Sequence, residues 1–566
     1  MKMTKRILAL LLALVMVLAM AACNQADDPT PGNNDDPKPG KTEPQQTTPE
    51  KEYYNKTGLR ICDDPITITV SGVQGYTNDW NNNAMTDFFR DELGIVFDCT
   101  PYQADAFASQ YALMLANNEQ PDLLINMQKV SKEQVDIDGA AGYWLDISQY
   151  LDIMPNFAKY LEENPDWAEY TRTESGAIYG INWFKAADVA RVGGNIYISK
   201  ADLDAAGVDY DIKTLDDFYN ALVKLKAAFP EKITLGITPD NGWTNNAESI
   251  LRASFGIHHT STNYMLDWDA NGKAFLHDIT DNNREYLKFM NKLYEEGILD
   301  PECFIRTPDE YRAKEYAGEI AVFSDSGFSP SEHGAPSDFV WIPALTTEAY
   351  PETSYTMMSK VIEGVKVAVK ADTEYPEAIC RLIDYMFTEE GKWLGCGAGV
   401  EGVTFDWVEN KYNAPIYSQE AYADLKNYES VSAWYLQKAA IIQALQFFNG
   451  ADRMFFSDLT NEQLAELAAD PDMSQTYQMY AYTWLAVSDI ENVYTAANPV
   501  TYSADVIEDR NVLHTDISTY IKTMNVSFIT GEVDIEDDAA WENFINTLKS
   551  MDYDRLMDIE TAAKGN

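Results

Sequence analysis

Short apolar runs alternate along the chain with longer segments in which apolar positions recur at helical spacing. Residues 66–70 form a β-branched run, and residues 82–93 follow with an amphipathic pattern. Residues 95–99 and 123–125 repeat the first kind of segment, and residues 107–117 repeat the second. Alternation of this kind predicts βαβ units, and therefore a parallel sheet with helices on both faces.

Helix signals become denser in the second half of the chain. Thr214 stands three residues before Asp217, ahead of apolar residues at helical spacing, which is the pattern of a capping box. After Pro376, apolar residues recur at positions 379, 382, 383, 386 and 387, which predicts another helix with one buried face. No internal repeat is visible at the periods of solenoid proteins. We expect the α/β class with a helix-rich C-terminal region.

The N-terminus has the pattern of an export signal. Residues 1–6 carry three positive charges, residues 7–20 are apolar, and small residues precede Cys23. The apolar run is shorter than the about 20 residues that span a bilayer. A cysteine at this point is typical of a bacterial lipoprotein signal, in which the thiol is lipidated; ordinary secretion with a chance cysteine is the alternative. We predict a signal peptide at residues 1–22 and lipidation at Cys23.

Residues 23–52 differ in composition from everything that follows. The segment is made almost entirely of Asp, Asn, Pro, Gly, Thr, Gln, Glu and Lys. Such a segment cannot bury enough apolar surface to offset the entropy that ordering costs, and its prolines stiffen it into a spacer. We predict a disordered tether that holds the folded body away from the membrane.

Composition narrows the class of partner. The chain has 42 Lys and Arg against 90 Asp and Glu, a formal net charge of −48, which repels nucleic acid and anionic headgroups. Its 12 Trp, 34 Tyr and 23 Phe supply flat rings that suit sugar stacking as well as core packing. Besides Cys23 the chain has five cysteines, an odd number without CxxC spacing. We therefore expect buried free thiols instead of a disulfide framework or a thiolate metal site.

A series of short motifs follows in an order that carries a resemblance. The motifs are Asp91-Glu92-Leu93-Gly94-Ile95, Gln120-Pro121-Asp122, Trp144-Leu145-Asp146-Ile147-Ser148, Gly176-Ala177-Ile178-Tyr179-Gly180, Asn195-Ile196-Tyr197-Ile198-Ser199-Lys200, Gly399-Val400-Glu401-Gly402-Val403 and Phe528-Ile529-Thr530-Gly531. This order is similar to that of the extracellular solute-binding proteins of family 1, in the long lipoprotein subgroup that serves oligosaccharide ABC importers. The similarity runs from about residue 65 to the C-terminus.

The resemblance implies a two-lobed clamp of the periplasmic-binding-protein type, with a helix-rich C-terminal region. It places the N-lobe at residues 53–185, the C-lobe at 186–317, a return to the N-lobe at 318–368, and the C-lobe with the C-terminal helices at 369–566. Clefts between domains favour the burial of a small ligand, and hinge closure lets both lobes contact it.

Candidate ligand contacts follow from the sheet, because ligands of open α/β sheets bind beyond the carboxyl ends of the strands. The loops at those ends combine aromatic rings, which stack on sugars, with amide and carboxylate groups that pair with hydroxyls. Core packing is the alternative for each tryptophan, and a structural turn is the alternative for Glu401. The predicted ligand-binding residues in such loops are Gln74, Tyr76, Asn78, Trp80, Asn126, Asp240, Asn241, Trp243 and Asp325. The crossing between lobes that the resemblance implies adds Trp183, and the turn that resembles the family's adds Glu401.

Two other motifs have competing interpretations. Residues 397–402 have GxGxxG spacing but follow a helix instead of a strand, which argues against nucleotide binding. Residues 267–278 have EF-hand spacing, yet Asn271-Gly272 between aromatic residues is equally typical of a hairpin turn. Many members of the family carry a calcium loop where this chain has only Phe229-Pro230-Glu231-Lys232. We predict no cofactor and no metal site, with calcium at residues 267–278 left open.

The resemblance implies a lipid-anchored extracellular protein that captures a carbohydrate, in the first instance an oligosaccharide, for an ABC importer. Its expected partners are the carbohydrate, the permease subunits and, through Cys23, the outer face of the cell membrane; we expect a monomer that binds no nucleic acid. Alternatives are a clamp for a peptide or other small solute, or a sensor-linked lipoprotein. A secreted glycosidase needs two facing carboxylates, which 90 acidic residues supply by chance. We expect no enzymatic activity.

Overall fold

The fold is described from a computed structural model, in which the chain divides into Met1–Glu52 and Tyr53–Asn566. The structure describes residues 53–74, 79–127, 130–185, 195–238, 246–259, 261, 264–325, 333–356, 362–396, 399–403, 448–449, 459–470, 475–494, 500, 502 and 506–564. The predicted signal peptide, tether and Cys23 lie outside these ranges. Among the described helices, none combines the length and the apolar character that a membrane span requires.

The apolar and β-branched runs form strands, and the predicted strands at residues 66–70, 95–99 and 123–125 are confirmed. The strands are β1 (Ile66–Gln74), β2 (Ile95–Gln103), β3 (Leu123–Ile125), β4 (Ile181–Lys185), β5 (Asn195–Ser199), β6 (Ile233–Leu235), β7 (Leu266–Trp268), β8 (Ala274–Leu276), β9 (Ile320–Asp325), β10 (Phe339–Ile342), β11 (Ser354–Thr356), β12 (Ile362–Val369), β13 (Phe448–Asn449) and β14 (Asn492–Tyr494).

Helices occupy most of the segments between the strands. They are α1 (Ala84–Phe88), α2 (Ala104–Asn117), α3 (Lys132–Ala140), α4 (Pro155–Glu163), α5 (Pro165–Thr171), α6 (Lys200–Ala206), α7 (Leu215–Ala228), α8 (Asn246–Ala253), α9 (Asp281–Glu295), α10 (Pro308–Tyr316), α11 (Pro376–Tyr385), α12 (Glu389–Cys396), α13 (Asn461–Ala468), α14 (Gln475–Ser488), α15 (Ile507–Thr530), α16 (Asp538–Ser550) and α17 (Tyr553–Lys564). The capping box at α7 is confirmed, because the Thr214 hydroxyl accepts from the Asp217 amide at 3.0 Å and donates to its carboxylate at 2.7 Å.

The first sheet has six strands in the order β13-β4-β12-β3-β1-β2. β1 pairs in parallel with β2 and β3, whereas β12 runs antiparallel to both of its neighbours, β3 and β4. Val367 packs in one buried cluster and Ala368 in another, so the sheet carries core on both faces. We call this sheet and the helices packed on it the N-lobe.

The second sheet has four strands in the order β10-β5-β9-β6, and we call it and its helices the C-lobe. β9 is parallel to β6 and antiparallel to β5. Its larger buried cluster joins Ile198 and Val322 of the sheet to Phe528 and Phe544 of the C-terminal helices. The C-terminal helices therefore share one core with the second sheet, as the helix-rich C-terminal region predicts.

Helix α11 fastens the first residues of the body to the N-lobe. The Tyr53 hydroxyl donates to a Glu377 carboxylate oxygen at 2.6 Å, and Arg381 donates to the Gly58 carbonyl at 2.7 Å. Asp384 is buried and accepts from the backbone amides of Asn156 and Phe157 at 2.8 and 2.9 Å, which caps α4. Helix α11 therefore contacts two separate segments of the N-lobe, residues 53–58 and the start of α4.

Sheet membership corrects the predicted domain boundaries. β9 and β10 pair within the second sheet, so the predicted return to the N-lobe at residue 318 is wrong, and the return lies between β10 and β12. Residues of α11 and α12 pack in the N-lobe core, so residues 376–396 are not part of the C-lobe as predicted. The pattern of apolar residues defines a strand, but the identity of its distant partner decides its lobe. β4 ends at Lys185 in the first sheet, and β5 begins at Asn195 in the second.

The described cysteines are thiols, as predicted. Cys62, Cys99, Cys303 and Cys380 are free and buried. Burial raises the pKa of Cys62 to about 11 and that of Cys99 to about 12, so these thiols stay protonated and unreactive at neutral pH.

Candidate functional site

One edge of the first sheet collects the strand ends at which ligands bind in open α/β sheets. The carboxyl ends of β1, β2 and β3 meet there because these strands are parallel. β12 is antiparallel to β3 and β4, so the amino end of β12 and the carboxyl end of β4 reach the same edge. We call this the N-lobe edge, and the ligand rule for such sheets points to it.

Asn126 follows β3 at the N-lobe edge and ties three strands together. Its φ of 53° is left-handed, a conformation that asparagine tolerates better than most residues. Its backbone amide donates to the Lys366 carbonyl at 2.7 Å, and its side-chain Nδ2 donates to the Val73 carbonyl at 2.8 Å. Its Oδ1 accepts from Lys366 Nζ at 3.0 Å. Asn126 is only 3% exposed. Its side-chain amide therefore contacts Val73 and Lys366 instead of solvent.

Lys366 is a buried cation within β12, with 4% of its surface exposed. Its Nζ lies 4.1 Å from the centre of the Trp183 ring, in addition to its contact with Asn126. An ammonium at this distance is attracted by the ring face, and the attraction grows where water is excluded. The Trp183 residue is partly buried. Asn126, Lys366 and Trp183 therefore form a chain of contacts that leads from the interior to the surface of the N-lobe edge.

Lys366 was absent from the residues that the sequence singled out. The available signal was a single charge inside the run Val365-Lys366-Val367-Ala368-Val369. A charge in a buried strand is costly unless it is paired or hydrogen-bonded, so such a residue is itself an indication of a specific partner. The partner could not be named from the pattern, because Asn126 stands 240 positions away in the chain.

The corresponding edge of the C-lobe sheet is closed by internal hydrogen bonds. Ser324, near the carboxyl end of β9, accepts from the Ala247 amide in the first turn of α8 at 2.9 Å. The Ser324 amide donates to the Tyr311 hydroxyl at 3.2 Å. Asn195 and Thr238 at the same edge are also buried. Ser324 therefore joins the end of β9 to the start of α8 and to Tyr311.

A histidine and a carboxylate are buried together beside β9. His333 Nε2 lies 3.1 Å from Glu315 Oε1, and the two side chains are 5% and 0% exposed. The imidazole stacks on the Phe323 ring, with 4.8 Å between centroids and 13° between planes. This pair faces the interior of the C-lobe.

The predicted ligand-binding residues that the structure describes fall in different places. Asn126 and Trp183 lie together at the N-lobe edge, joined by Lys366. Trp80 is 3% exposed within the N-lobe core, so its ring offers no accessible face and the alternative of core packing applies. Glu401 is exposed in the turn after α12.

The other predicted contacts cannot be placed from this structure. The side chains of Gln74 and Asp325, at the ends of β1 and β9, lie outside the described atoms. Tyr76, Asn78, Asp240, Asn241 and Trp243 lie outside the described residues altogether. These residues stay predictions.

Residues 267–278 form a β-hairpin, which confirms one of their two interpretations. β7 and β8 pair antiparallel, and Asp269 accepts from the turn amides of Asn271 and Lys273 at 2.8 and 3.0 Å. Asp278 is buried and accepts from the Met265 amide at 2.6 Å. The carboxylates of Asp269 and Asp278 therefore accept hydrogen bonds from backbone amides. Within the described part of the chain, no group of three or more His, Cys, Asp or Glu side chains is placed to hold a metal ion.

Comparison with known sequences identifies relatives. No family model matches the chain. Over 259 residues it is 27% identical to the fructooligosaccharide ABC transporter substrate-binding protein FusA of Streptococcus pneumoniae serotype 4 (strain ATCC BAA-334 / TIGR4), a match that covers 43% of this chain and 46% of FusA. Over 368 residues it is 23% identical to the lipoprotein LipO of Bacillus subtilis (strain 168), covering 60% and 69% of the two chains. The chain thus spans about half the length of FusA and about two thirds that of LipO.

Solved structures match nearly the whole body. FusA of S. pneumoniae in complex with kestose has a TM-score of 0.69 at 18% identity, covering 88% of this chain and 99% of FusA. An HMO-binding, ABC-transporter-associated solute-binding protein from Bifidobacterium longum infantis ATCC 15697 has a TM-score of 0.64 at 16% identity, covering 89% and 99%. The chain therefore has the two-domain α/β fold of solute-binding proteins. The fold class and the resemblance expected from the sequence are confirmed.

Proposed function

We propose that this protein captures a carbohydrate outside the cell and delivers it to an ABC importer. The observation that carries the proposal is the Asn126–Lys366–Trp183 group at the N-lobe edge. A sugar site needs a flat aromatic face beside polar groups, at a point where the fold leaves room for a ligand. FusA, which is similar in sequence and in fold, is named as a fructooligosaccharide transporter's substrate-binding protein, and this supports a carbohydrate ligand.

The proposed site extends beyond this group to the predicted residues at the other strand ends. Asn126 orients Lys366, and Trp183 offers the ring. The remaining proposed contacts are Gln74, Tyr76, Asn78, Asp240, Asn241, Trp243, Asp325 and Glu401. Binding by both lobes would couple ligand capture to domain closure, since contacts from the two lobes count together only in the closed state. The protein would perform no covalent chemistry.

Attachment to the membrane is the second part of the proposal. Lipidation of Cys23 would anchor the protein, and residues 23–52 would separate its body from the membrane surface. The similarity to the lipoprotein LipO supports an anchored protein. The permease subunits would be the macromolecular partners of a monomeric receptor. Replacing Cys23 by Ser should release the protein into the medium, and retention of the variant on the membrane would contradict the anchor.

Melting temperature in the presence of a ligand panel tests the carbohydrate proposal. The panel contains kestose, raffinose, maltotriose and laminaribiose, with di- to pentapeptides as the alternative class. A ligand that binds only the native state raises its stability by about 2.7 kcal/mol at a hundredfold excess over Kd. A shift with one class of saccharide supports the proposal. A shift with peptides alone would assign a peptide clamp, and hydrolysis of a bound saccharide would assign the glycosidase alternative.

A further inference from the structure

Gly364 is a glycine whose presence the fold does not require. It lies in β12, which has strands on both sides, and it is exposed. Among the residues that the structure describes, a Cβ atom built on Gly364 would meet no atom within 4 Å, and the φ of Gly364 is not positive. A glycine within a strand loses more conformational entropy on folding than an alanine would. Neither packing nor backbone conformation therefore accounts for the residue.

The comparison with other glycines sharpens this point. Apart from Gly395, each of the other described glycines either has a positive φ or would place a Cβ atom within 2.8 Å of a neighbouring atom. Gly180, on the segment before β4, is an example, because its Cβ would meet Val365 Cγ1 at 2.8 Å. Such positions exclude a side chain for reasons internal to the protein. Within the described part of the chain, Gly364 has neither of these two internal reasons.

Gly364 lies beside the candidate ligand site. Glu363 pairs with Trp183 and Val365 pairs with Asn182, so Gly364 is the extra residue of an irregularity in the β4–β12 ladder. It is therefore next to the strand position of Trp183 and two residues from Lys366, at the N-lobe edge. Irregularities of this kind occur beside binding sites, where they redirect side chains. A glycine within a strand often marks a bulge or the close approach of a ligand or another backbone, and Gly364 combines a bulge with an exposed position.

We propose that Gly364 is the floor of a sugar subsite whose wall is the Trp183 ring. A sugar ring would lie over the Gly364 backbone, in the space that any other residue would fill, with its C–H face against the indole. Lys366 is a positioning residue in this arrangement: it holds the indole through its ammonium group, which Asn126 orients in turn. This inference rests on the proposed carbohydrate-binding function and adds the residues that set the size of the subsite.

Substitution of Gly364 tests the floor of the subsite directly. Gly364→Leu fills open space without backbone strain, so its melting temperature without ligand should stay within about 2 °C of the unaltered protein. Calorimetric titration with each panel saccharide that binds the unaltered protein should show at least a hundredfold loss of affinity for Gly364→Leu. Gly364→Ala should lose about tenfold, because a methyl group obstructs less of the ring.

The test has one control variant and two outcomes that would contradict different parts of the proposal. Asp98→Leu adds a side chain of the same kind at an exposed position of β2, in the same sheet, and should bind as the unaltered protein does. Full affinity in a folded Gly364→Leu variant would overturn the subsite while leaving the proposed function intact. Failure of the unaltered protein to bind any saccharide would overturn both.

The fluorine resonance of a labelled Trp183 ring tests the positioning role of Lys366. In protein labelled with 5-fluorotryptophan, the resonance lost in Trp183→Phe identifies the Trp183 ring. Lys366→Met should shift this resonance and weaken saccharide binding about tenfold, and Lys366→Arg should restore most of both because it keeps a cation over the ring. An unshifted resonance with unchanged affinity in Lys366→Met would contradict the role.

Discussion

Both sheets bury polar residues at the edge where ligands bind in such folds. In the C-lobe these residues contact the interior of the lobe, and in the N-lobe their contacts lead to the surface. In the C-lobe, Ser324 binds the first turn of α8, and His333 and Glu315 pair with each other in the interior. In the N-lobe, Asn126 and Lys366 lead outward to a partly buried Trp183 and to the open space at Gly364. The C-lobe edge therefore directs its polar groups into its own lobe, whereas the N-lobe edge holds the groups that we propose as a ligand site.

This contrast separates two kinds of substitution. A change in the C-lobe network should alter the free energy of unfolding and leave saccharide affinity nearly unchanged. A change in the N-lobe group should alter affinity by more than it alters stability.

The largest expected effect is on the stability of the C-lobe. Glu315→Leu removes the buried carboxylate whose oxygen lies 3.1 Å from His333 Nε2, so the imidazole loses this contact. Breaking a buried pair in this way costs about 3 to 5 kcal/mol of unfolding free energy, measured by urea denaturation. The double variant with His333→Leu should recover much of the loss, and additive losses would show that the pair is not a unit.

A buried carboxyl group should make C-lobe stability depend on pH. Burial raises the pKa of Asp278 to about 6, although Arg252 and His277 oppose this shift. The group favours the folded state below its unfolded pKa near 4, and this contribution is lost as the pH rises through about 6. Asp278→Asn lacks the titration, so its stability relative to the unaltered protein should rise by about 2 kcal/mol between pH 4 and pH 7.

Urea denaturation at several pH values measures this difference. Asp269→Asn is the control, because backbone hydrogen bonds from Lys273 and Asn271 lower the pKa of this exposed carboxyl group. Its stability curve should run parallel to that of the unaltered protein above pH 4. A pH-independent difference for Asp278→Asn would show that Asp278 does not titrate in this range.

Trp183→Ala tests the opposite side of the comparison. The substitution removes the ring from the N-lobe edge, and the loss of a stacked aromatic anchor costs about 2 kcal/mol of binding, or roughly thirtyfold in affinity. Stability should change less, because the Trp183 residue is only partly buried. Calorimetric titration beside urea denaturation measures both quantities. A greater loss of stability than of affinity would assign Trp183 to packing.

The smallest expected effect separates backbone from side chain at Asn126. Asn126→Gly and Asn126→Ala both remove the hydrogen bonds to Val73 and Lys366, but only glycine accepts the left-handed φ of 53° without strain. Alanine should therefore be less stable than glycine by about 1 kcal/mol in urea denaturation. Equal stability of the two variants would show that this backbone conformation carries no strain.

Part of the candidate site was accessible from sequence. The rule that ligands bind beyond strand ends selected Asn126, because the ends of short β-branched strands are visible in the pattern. Trp183 was selected because the resemblance implies a crossing between lobes there. The same rule selected Trp80, which packs in the N-lobe core instead. Tryptophan is equally suited to both places, and only the neighbours of the ring distinguish them. Lys366 and Gly364 were missed because the contacts of each are with strands distant in sequence. Lys366 contacts Asn126 after β3, and Gly364 lies in the irregular pairing of β12 with β4.

The sequence by itself determined what depends on near neighbours. Strands at residues 66–70 and 95–99, the capping box of Thr214 and the α/β class all follow from periodicity and from side chains a few positions apart. Only the tertiary structure decided that β9 joins the second sheet, that β12 joins the first, and that Lys366 reaches Asn126 across 240 positions. Strand pairing depends on long-range burial and loop closure, which local patterns do not encode.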